Sequence, residues 1–383
     1  MNHGARYEQL DALRGLAALT VVLSHFTLLT PLLILRHTPL RVLLGGHEAV
    51  VLFFVLSGFV LTLQINGAGK PGYYEYAIRR ICRIYLPYLG AIAVAYACFL
   101  FSNGGEVGWA GPWFNASWPP ALSNADLARH LMFLLPFKTD QLDNVVWSLV
   151  YEMRISLVFM PIVLAVYRMP TWLSLVGAAS LSLALCAYAV HTDHPLIQAS
   201  VSAEWLPTGH YLSMFVVGAA LAKHRSALSS HLGRAPRATR IGIVLAASSF
   251  ALYVSSASLR FHFREPLSGY LIDWCVLLAV SGIIACAVAL VPFARLLLIP
   301  PLPFLGKISY SLYLFHCVVL LSVVHLTGVR MGPTLSLILA AVLIVPVSYV
   351  GYVCFERPGI RLGSHLGRKF STQRVLADAV ARN

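Results

Sequence analysis

The sequence predicts an all-α fold, a polytopic transmembrane helix bundle of about ten spans. Three observations predict it. Hydrophobic residues make up 58% of the chain and charged residues 11%, against about 25% charged in an ordinary soluble domain, so much of the surface must face lipid. Apolar runs recur at close to the length of about 20 residues that a helix needs to cross a bilayer. Lysine and arginine are unevenly divided between alternate loops, which is the signature of membrane topology.

The apolar runs are 12–35, 48–65, 84–101, 146–167, 172–190, 208–223, 241–256, 269–291, 305–327 and 333–355. The shortest are 208–223 and 241–256. Asp11 and Arg14 open the first run, so it reads as a retained span rather than a cleaved leader. With the N-terminus placed in the cytoplasm, eighteen Lys and Arg fall on the cytoplasmic side and seven outside. That bias implies both termini inside the cell and residence in the inner (plasma) membrane. The net charge of +13 is therefore topology information, and nucleic acid is not expected as a partner; the lipid bilayer is. The seven cysteines form no CxxC pair and read as small core residues. Residues 7–358 read as one membrane domain and 359–383 as a basic cytoplasmic tail. The longest outer loop, 102–145, carries Trp109, Trp113 and Trp118, which suit either an interfacial aromatic belt or an acceptor platform.

Charged groups inside spans are costly, and each is a functional hypothesis by default. In the first run Arg14 stands near the cytoplasmic end. His25 follows eleven residues later, about 16 Å further along a helix. At that depth burial disfavours the imidazolium, and a neutral ring can take a proton from a hydroxyl; equally, from this run alone, Arg14 snorkels to the interface and His25 hydrogen-bonds a neighbouring helix. The fourth run enters from the outer side with Trp147-Ser148-Leu149 and then Glu152. Equal depth suggests that Glu152 and His25 share a pocket, the carboxylate orienting the ring. The alternative is a purely structural ion pair of Glu152 with Arg14. At the cytoplasmic entry of the third run, Arg79, Arg80 and Arg83 suit the phosphates of a nucleotide-type donor or, more plainly, positive-inside anchoring.

Taken in order, these pieces resemble the membrane-bound acyltransferase-3 family. The matching stretches are Leu10 to Ala18 with His25, Phe53 to Phe59, Arg79-Arg80 with Arg83, Trp147-Ser148-Leu149 with Glu152, Ser309 to His316, and Phe355 to Pro358. The resemblance implies a ten-helix membrane domain that acylates surface glycans or small molecules. It implies acyl-CoA, acetyl-CoA by default, as a co-substrate, with no permanently bound cofactor. It makes Arg14 and His25 necessary for activity, His25 the base, and Arg80 and Arg83 neighbours of acyl-CoA. Trp147, Tyr313 and His316 are expected to touch substrate, and a glycan or lipid-linked sugar is the expected acceptor. The sequence departs from the family at Met153-Arg154-Ile155-Ser156, after Glu152. Many relatives also carry a following SGNH-type hydrolase domain, where this sequence has only the short tail.

No GxSxG, HxxxxD, P-loop or HExxH signature appears, and no metal is expected. His191 and His194 are read as ordinary loop residues. Direct transfer of the acyl group is expected rather than an acyl-enzyme, because the motifs contain no nucleophile–base pair. The rival readings are acylation of a small molecule such as a macrolide, or a transporter or flippase without catalysis.

Overall fold

The structure is a computed structural model. It describes residues 7–67, 69–102, 105–118, 121–194, 202–233 and 259–380, with scattered positions between 242 and 250. The described chain is almost all helix. Its β content is a single bridge between Lys138 and Ser202.

The main helices are α1 (Glu8–Phe26), α2 (Gly46–Ile65), α3 (Tyr73–Ser102), α4 (Asn124–Met132), α5 (Val146–Arg168), α6 (Thr171–Thr192), α7 (Leu206–Lys223), α8 (Leu267–Ala289), α9 (Leu302–Gly351) and α10 (Arg357–Val380). Among the described residues six helices are long and apolar enough to cross a membrane, or seven if a bent pair counts as one span. The sequence led us to expect about ten, and the difference has identifiable sources. The first run is broken: α1 ends at Phe26, and the short helix Thr30–His37 leaves at 119° to it. The run 208–223 is helical, but Pro207, Thr208, His210 and Lys223 dilute its hydropathy. The runs 305–327 and 333–355 are two helices, as expected, that meet at a kink where Gly332 adopts φ 70° and that count together as the one element α9. The run 241–256 lies largely outside the described residues.

Helices in lipid gain little from apolar burial against one another, so close backbone approach does the work. Two motif glycines show this. A Cβ on Gly15 of α1 would meet the backbone of Leu305 and Gly306 on α9, and one on Gly306 would meet Asp11. A Cβ on Gly58 of α2 would run into the backbone of Phe215 on α7. The glycines of Leu13-Arg14-Gly15 and Ser57-Gly58 are thus packing residues, and they bring Arg14 and Ser57 to the centre of the bundle.

A turn of π-helix, Tyr352–Glu356, joins α9 to α10. The tail expected from charge alone is a helix. Its Gly359, Gly363 and Gly367 face Cys82, Arg79 and Glu75 on α3.

Candidate functional site

The end of the bundle that the charge bias assigns to the cytoplasm holds a cavity of about 1600 Å³. Arg14, Lys70, Arg83, Arg225, Lys307, Arg357 and Arg361 line it, with Glu8, Asp11 and Glu356 as the acidic members. A second, narrow pocket of about 60 Å³ is lined by Ser57, Arg80, Ser148, Glu152, Tyr310 and Tyr313 among others. Arg14, Arg83 and Ser309 line both. These three residues therefore mark the passage from the wide basic mouth into the bundle.

The three arginines of α3 go three ways. Arg79 is half-exposed and paired with Glu75, and it lines neither cavity. Arg80 is buried. Its Nη2 donates to Glu152 Oε1 at 2.7 Å and to Ser156 Oγ at 3.0 Å. Ser57 Oγ donates to the same Glu152 oxygen at 3.1 Å. Arg83 faces both cavities. Arg14 lies 3.8 Å from Asp11, so Glu152 has Arg80 rather than Arg14 as its ion-pair partner. No hydrogen bond joins Glu152 to His25 among the described residues; the orienting contact inferred from equal depth is absent, because α3 brings a guanidinium to the carboxylate first.

His25 meets His316 instead. His25 Nδ1 is 2.9 Å from Val21 O and 3.2 Å from His316 Nε2. His316 Nδ1 is 3.1 Å from Leu312 O. A carbonyl only accepts, so each Nδ1 carries the proton. Each ring then keeps a lone pair on Nε2. That of His316 faces His25 and the Cys317 thiol, whose Sγ is 3.5 Å away. His316 is buried and His25 half-buried, with Trp113 of the outer loop against its ring at 5.4 Å. The loop's other tryptophans anchor it: Trp109 Nε1 donates to Gly328 O and Trp118 Nε1 to Leu142 O, both at 3.0 Å.

Tyr313 stands between the two regions. Its hydroxyl is 2.6 Å from Ser148 Oγ and 3.1 Å from Val145 O, which places it at the start of α5. Trp147 is buried, with its ring stacked on that of His47 at 6.3 Å. Just before α5, Asp143 is fully buried, and among the described residues neither carboxylate oxygen makes a well-formed hydrogen bond, the backbone N–H of Val145 being its one polar neighbour. Burial pushes its carboxyl well above the usual carboxylate range.

Sequence reasoning missed a second polar network, between α2, α7 and α8. Asp273 of α8 is bonded through Oδ1 to His47 Nε2 at 2.6 Å and through Oδ2 to His210 Nε2 at 3.1 Å. Ser182 Oγ is 2.8 Å from His210 Nδ1 and accepts from Trp274 Nε1 at 2.9 Å. The one available signal was Asp273 itself, an acid inside an apolar run. Arg154, the departure beside Glu152, donates to the carbonyls of Leu134, Ala203 and Glu204. Trp205 covers its guanidinium at 4.0 Å. It ties the segments at Leu134 and Ala203–Glu204 to α5 and leaves the Glu152 cluster undisturbed.

The bundle therefore holds a cation-lined mouth, a narrow pocket lined by the hydroxyls of Ser148 and Tyr313, and a histidine pair that lines neither cavity but whose His316 ring stands 6.1 Å from that of Tyr313. No curated protein and no solved structure matches the chain. A family model described as an acyltransferase domain matches residues 7–353, nearly the whole length, and the chain belongs to the acyltransferase-3 family of membrane proteins.

Proposed function

We propose that the protein is an O-acyltransferase that moves an acyl group, acetyl by default, from acyl-CoA to a hydroxyl of a surface or exported glycan. The observation that carries this reading is the cavity of about 1600 Å³ with its seven Lys and Arg side chains. A nucleotide with three phosphoryl groups is the ligand such a mouth suits, since charge-assisted bonds to phosphate are among the strongest available. The thin thioester-bearing arm of the donor then follows Arg14, Arg83 and Ser309 toward Tyr313 and Ser148. A transporter of neutral cargo has no use for a basic mouth that narrows to two hydroxyls.

His25 is the base in this reading. Its Nδ1–H is held by Val21 O, so Nε2 is the atom that takes the acceptor's proton. The alkoxide attacks the thioester carbonyl, the carbon–sulfur bond breaks, and the proton passes to the leaving thiolate. Arg83, facing both cavities, stays with the donor. Arg80 is committed to Glu152 and contributes its field rather than a phosphate contact.

The test is transfer by purified protein from radiolabelled acetyl-CoA to isolated glycan. Label in the glycan is the expected result. Absence of both transfer and acyl-CoA binding from a correctly inserted protein overturns the proposal.

A further inference from the structure

The narrow pocket behind Arg14, Arg83 and Ser309 is small enough to limit what enters it. Its volume is about 60 Å³. At about 10–15 Å³ for each water-sized group, that space holds about four to six such groups. The sulfur, carbonyl carbon, carbonyl oxygen and methyl of an acetyl thioester are four. A hexanoyl thioester brings four methylenes more. From this fit we propose that the pocket measures the acyl chain, taking acetyl and excluding medium-length chains, and that Phe53 is the residue that sets the limit. The inference rests on the acyltransferase reading and adds to it the donor's chain length and the side chain that selects it.

A limit of this kind needs a wall. A longer chain gains from every methylene it buries away from water, so an open site would favour long chains. Here the walls are tied down. Glu152 links α5 to Arg80 of α3 and Ser57 of α2. The Tyr313 hydroxyl is bonded to Ser148 Oγ and Val145 O, which holds its ring in place. Surplus methylenes in such a site force side chains off their rotamers.

The α2 wall consists of Val50, Phe53, Phe54 and Ser57, at the three- and four-residue spacing of one helix face. The four do different things. Ser57 is bonded to Glu152. Phe54 is buried, with its ring 4.6 Å from that of Tyr211 and 5.9 Å from that of Phe215, so it belongs to the packing of α2 on α7. Val50 is buried and short. Phe53 is half-buried, and its ring stands edge-on to that of Tyr313 at 5.5 Å and 74°. It sets a whole aromatic ring against a tyrosine that two hydrogen bonds hold. Removing that ring frees the space of six carbons, more than the four methylenes that separate hexanoyl from acetyl. Removing the Phe54 ring would instead hollow the contact with α7.

The experiment uses the full chain in nanodiscs. The kcat/KM for acetyl-, butyryl- and hexanoyl-CoA is read from thiol release in the presence of isolated glycan. The wild type should favour acetyl- over hexanoyl-CoA by at least about 100-fold, since one surplus methylene in a fitted pocket is already worth about 10- to 200-fold. In Phe53→Ala the ratio should fall below about tenfold through a gain on hexanoyl-CoA, and a gain is not what a damaged fold produces. If Phe53→Ala inserts poorly, Phe53→Leu keeps an apolar side chain against Tyr313 and should extend the limit to butyryl. S-ethyl-CoA and S-hexyl-CoA, thioethers that transfer nothing, give the same comparison as dissociation constants without an acceptor: the wild type should bind the ethyl ether at least about tenfold more tightly, and Phe53→Ala should erase the difference. A wild type that uses hexanoyl-CoA within about tenfold of acetyl-CoA, or a Phe53→Ala protein with the wild-type ratio, overturns the inference. Discrimination between the thioethers in a protein that releases no thiol would uphold the length limit and count against the acyltransferase reading; failure to bind either thioether would remove both.

Discussion

Removing the Glu152 carboxylate should damage the fold more than the chemistry, and the size of the effect can be worked from its contacts. Arg80 on α3 and Glu152 on α5 are 2.7 Å apart, with side chains 8% and 18% exposed. Ser57 on α2 donates to the same oxygen, so three helices meet at one atom. In Glu152→Ala the guanidinium stays in the bundle with Ser156 Oγ as its remaining acceptor. Breaking a buried pair by deleting one partner costs about 3–5 kcal/mol, or about two to three and a half decades in the folding equilibrium at about 1.4 kcal/mol per decade. The pair itself is worth much less than that, because burying both charges was costly. The double variant Arg80→Met/Glu152→Leu should therefore recover most of the loss. Glu152→Gln retains acceptors for Ser57 and Arg80 and should lose only about 1–2 kcal/mol. The assay is a double-mutant cycle on unfolding in one detergent, with transfer rates measured beside it. Additive single losses would refute the argument. So would a Glu152→Gln protein of unchanged stability that has lost transfer, which would return Glu152 to the role of orienting His25.

Three further outcomes follow from the site. Arg83→Ala should weaken acyl-CoA binding about 10- to 150-fold, the worth of a charge-assisted bond of about 1.5–3 kcal/mol, and the wild type should lose affinity with salt more steeply than the variant. His25→Ala should reduce transfer by about 10²- to 10⁴-fold with acyl-CoA binding retained; if His316→Ala loses turnover and His25→Ala does not, the base is His316. Asp143→Asn should remove the loss of stability that the wild type shows as pH rises, because Asn has no proton to lose at a buried site. The sign follows from the raised carboxyl of Asp143. The native state keeps a proton that the unfolded chain releases above about pH 4, so the wild type loses stability as pH rises beyond that point. Thermal unfolding across pH should show the two proteins converging below about pH 4; a constant gap would mean that the substitution acts through packing.

Fold class was legible because lipid imposes a simple rule on composition and run length, and most expected runs are helices in the structure. The count was less legible for reasons tied to particular residues. Run length alone does not register the bend after Phe26 or the polar residues Pro207, Thr208 and His210 that dilute α7. At the site, the sequence brought Arg14, Arg83 and Tyr313 into consideration, and the structure places all three on the narrow pocket. It gave Arg79 the same standing as Arg83. The two are four residues apart and lie within about 40° of each other around the helix, so the helix face does not separate them; Arg79 is instead taken by Glu75, one turn back, and lines neither cavity.

Depth and partnership are different kinds of information, and the buried charges show why. A position in a span says how far a group lies from water. The partner it finds depends on which helices are neighbours, and that is decided by packing far away in sequence. Glu152 and His25 satisfied the depth argument and still found other partners, at separations of 72 residues for Arg80 and 291 for His316. Asp273 follows the same logic, reaching His47 across 226 residues. For the histidine pair the packing is visible: Gly15 and Gly306 bring α1 against α9, the two helices that carry His25 and His316. The Leu13-Arg14-Gly15 motif therefore acts on His25 through its glycine as much as through its arginine. A Gly15→Val substitution, which pushes α1 from α9, should shift Arg14 beside it and separate His25 from His316. Transfer should then fall; transfer at the wild-type level would show that the histidine pair is held by something other than this helix crossing.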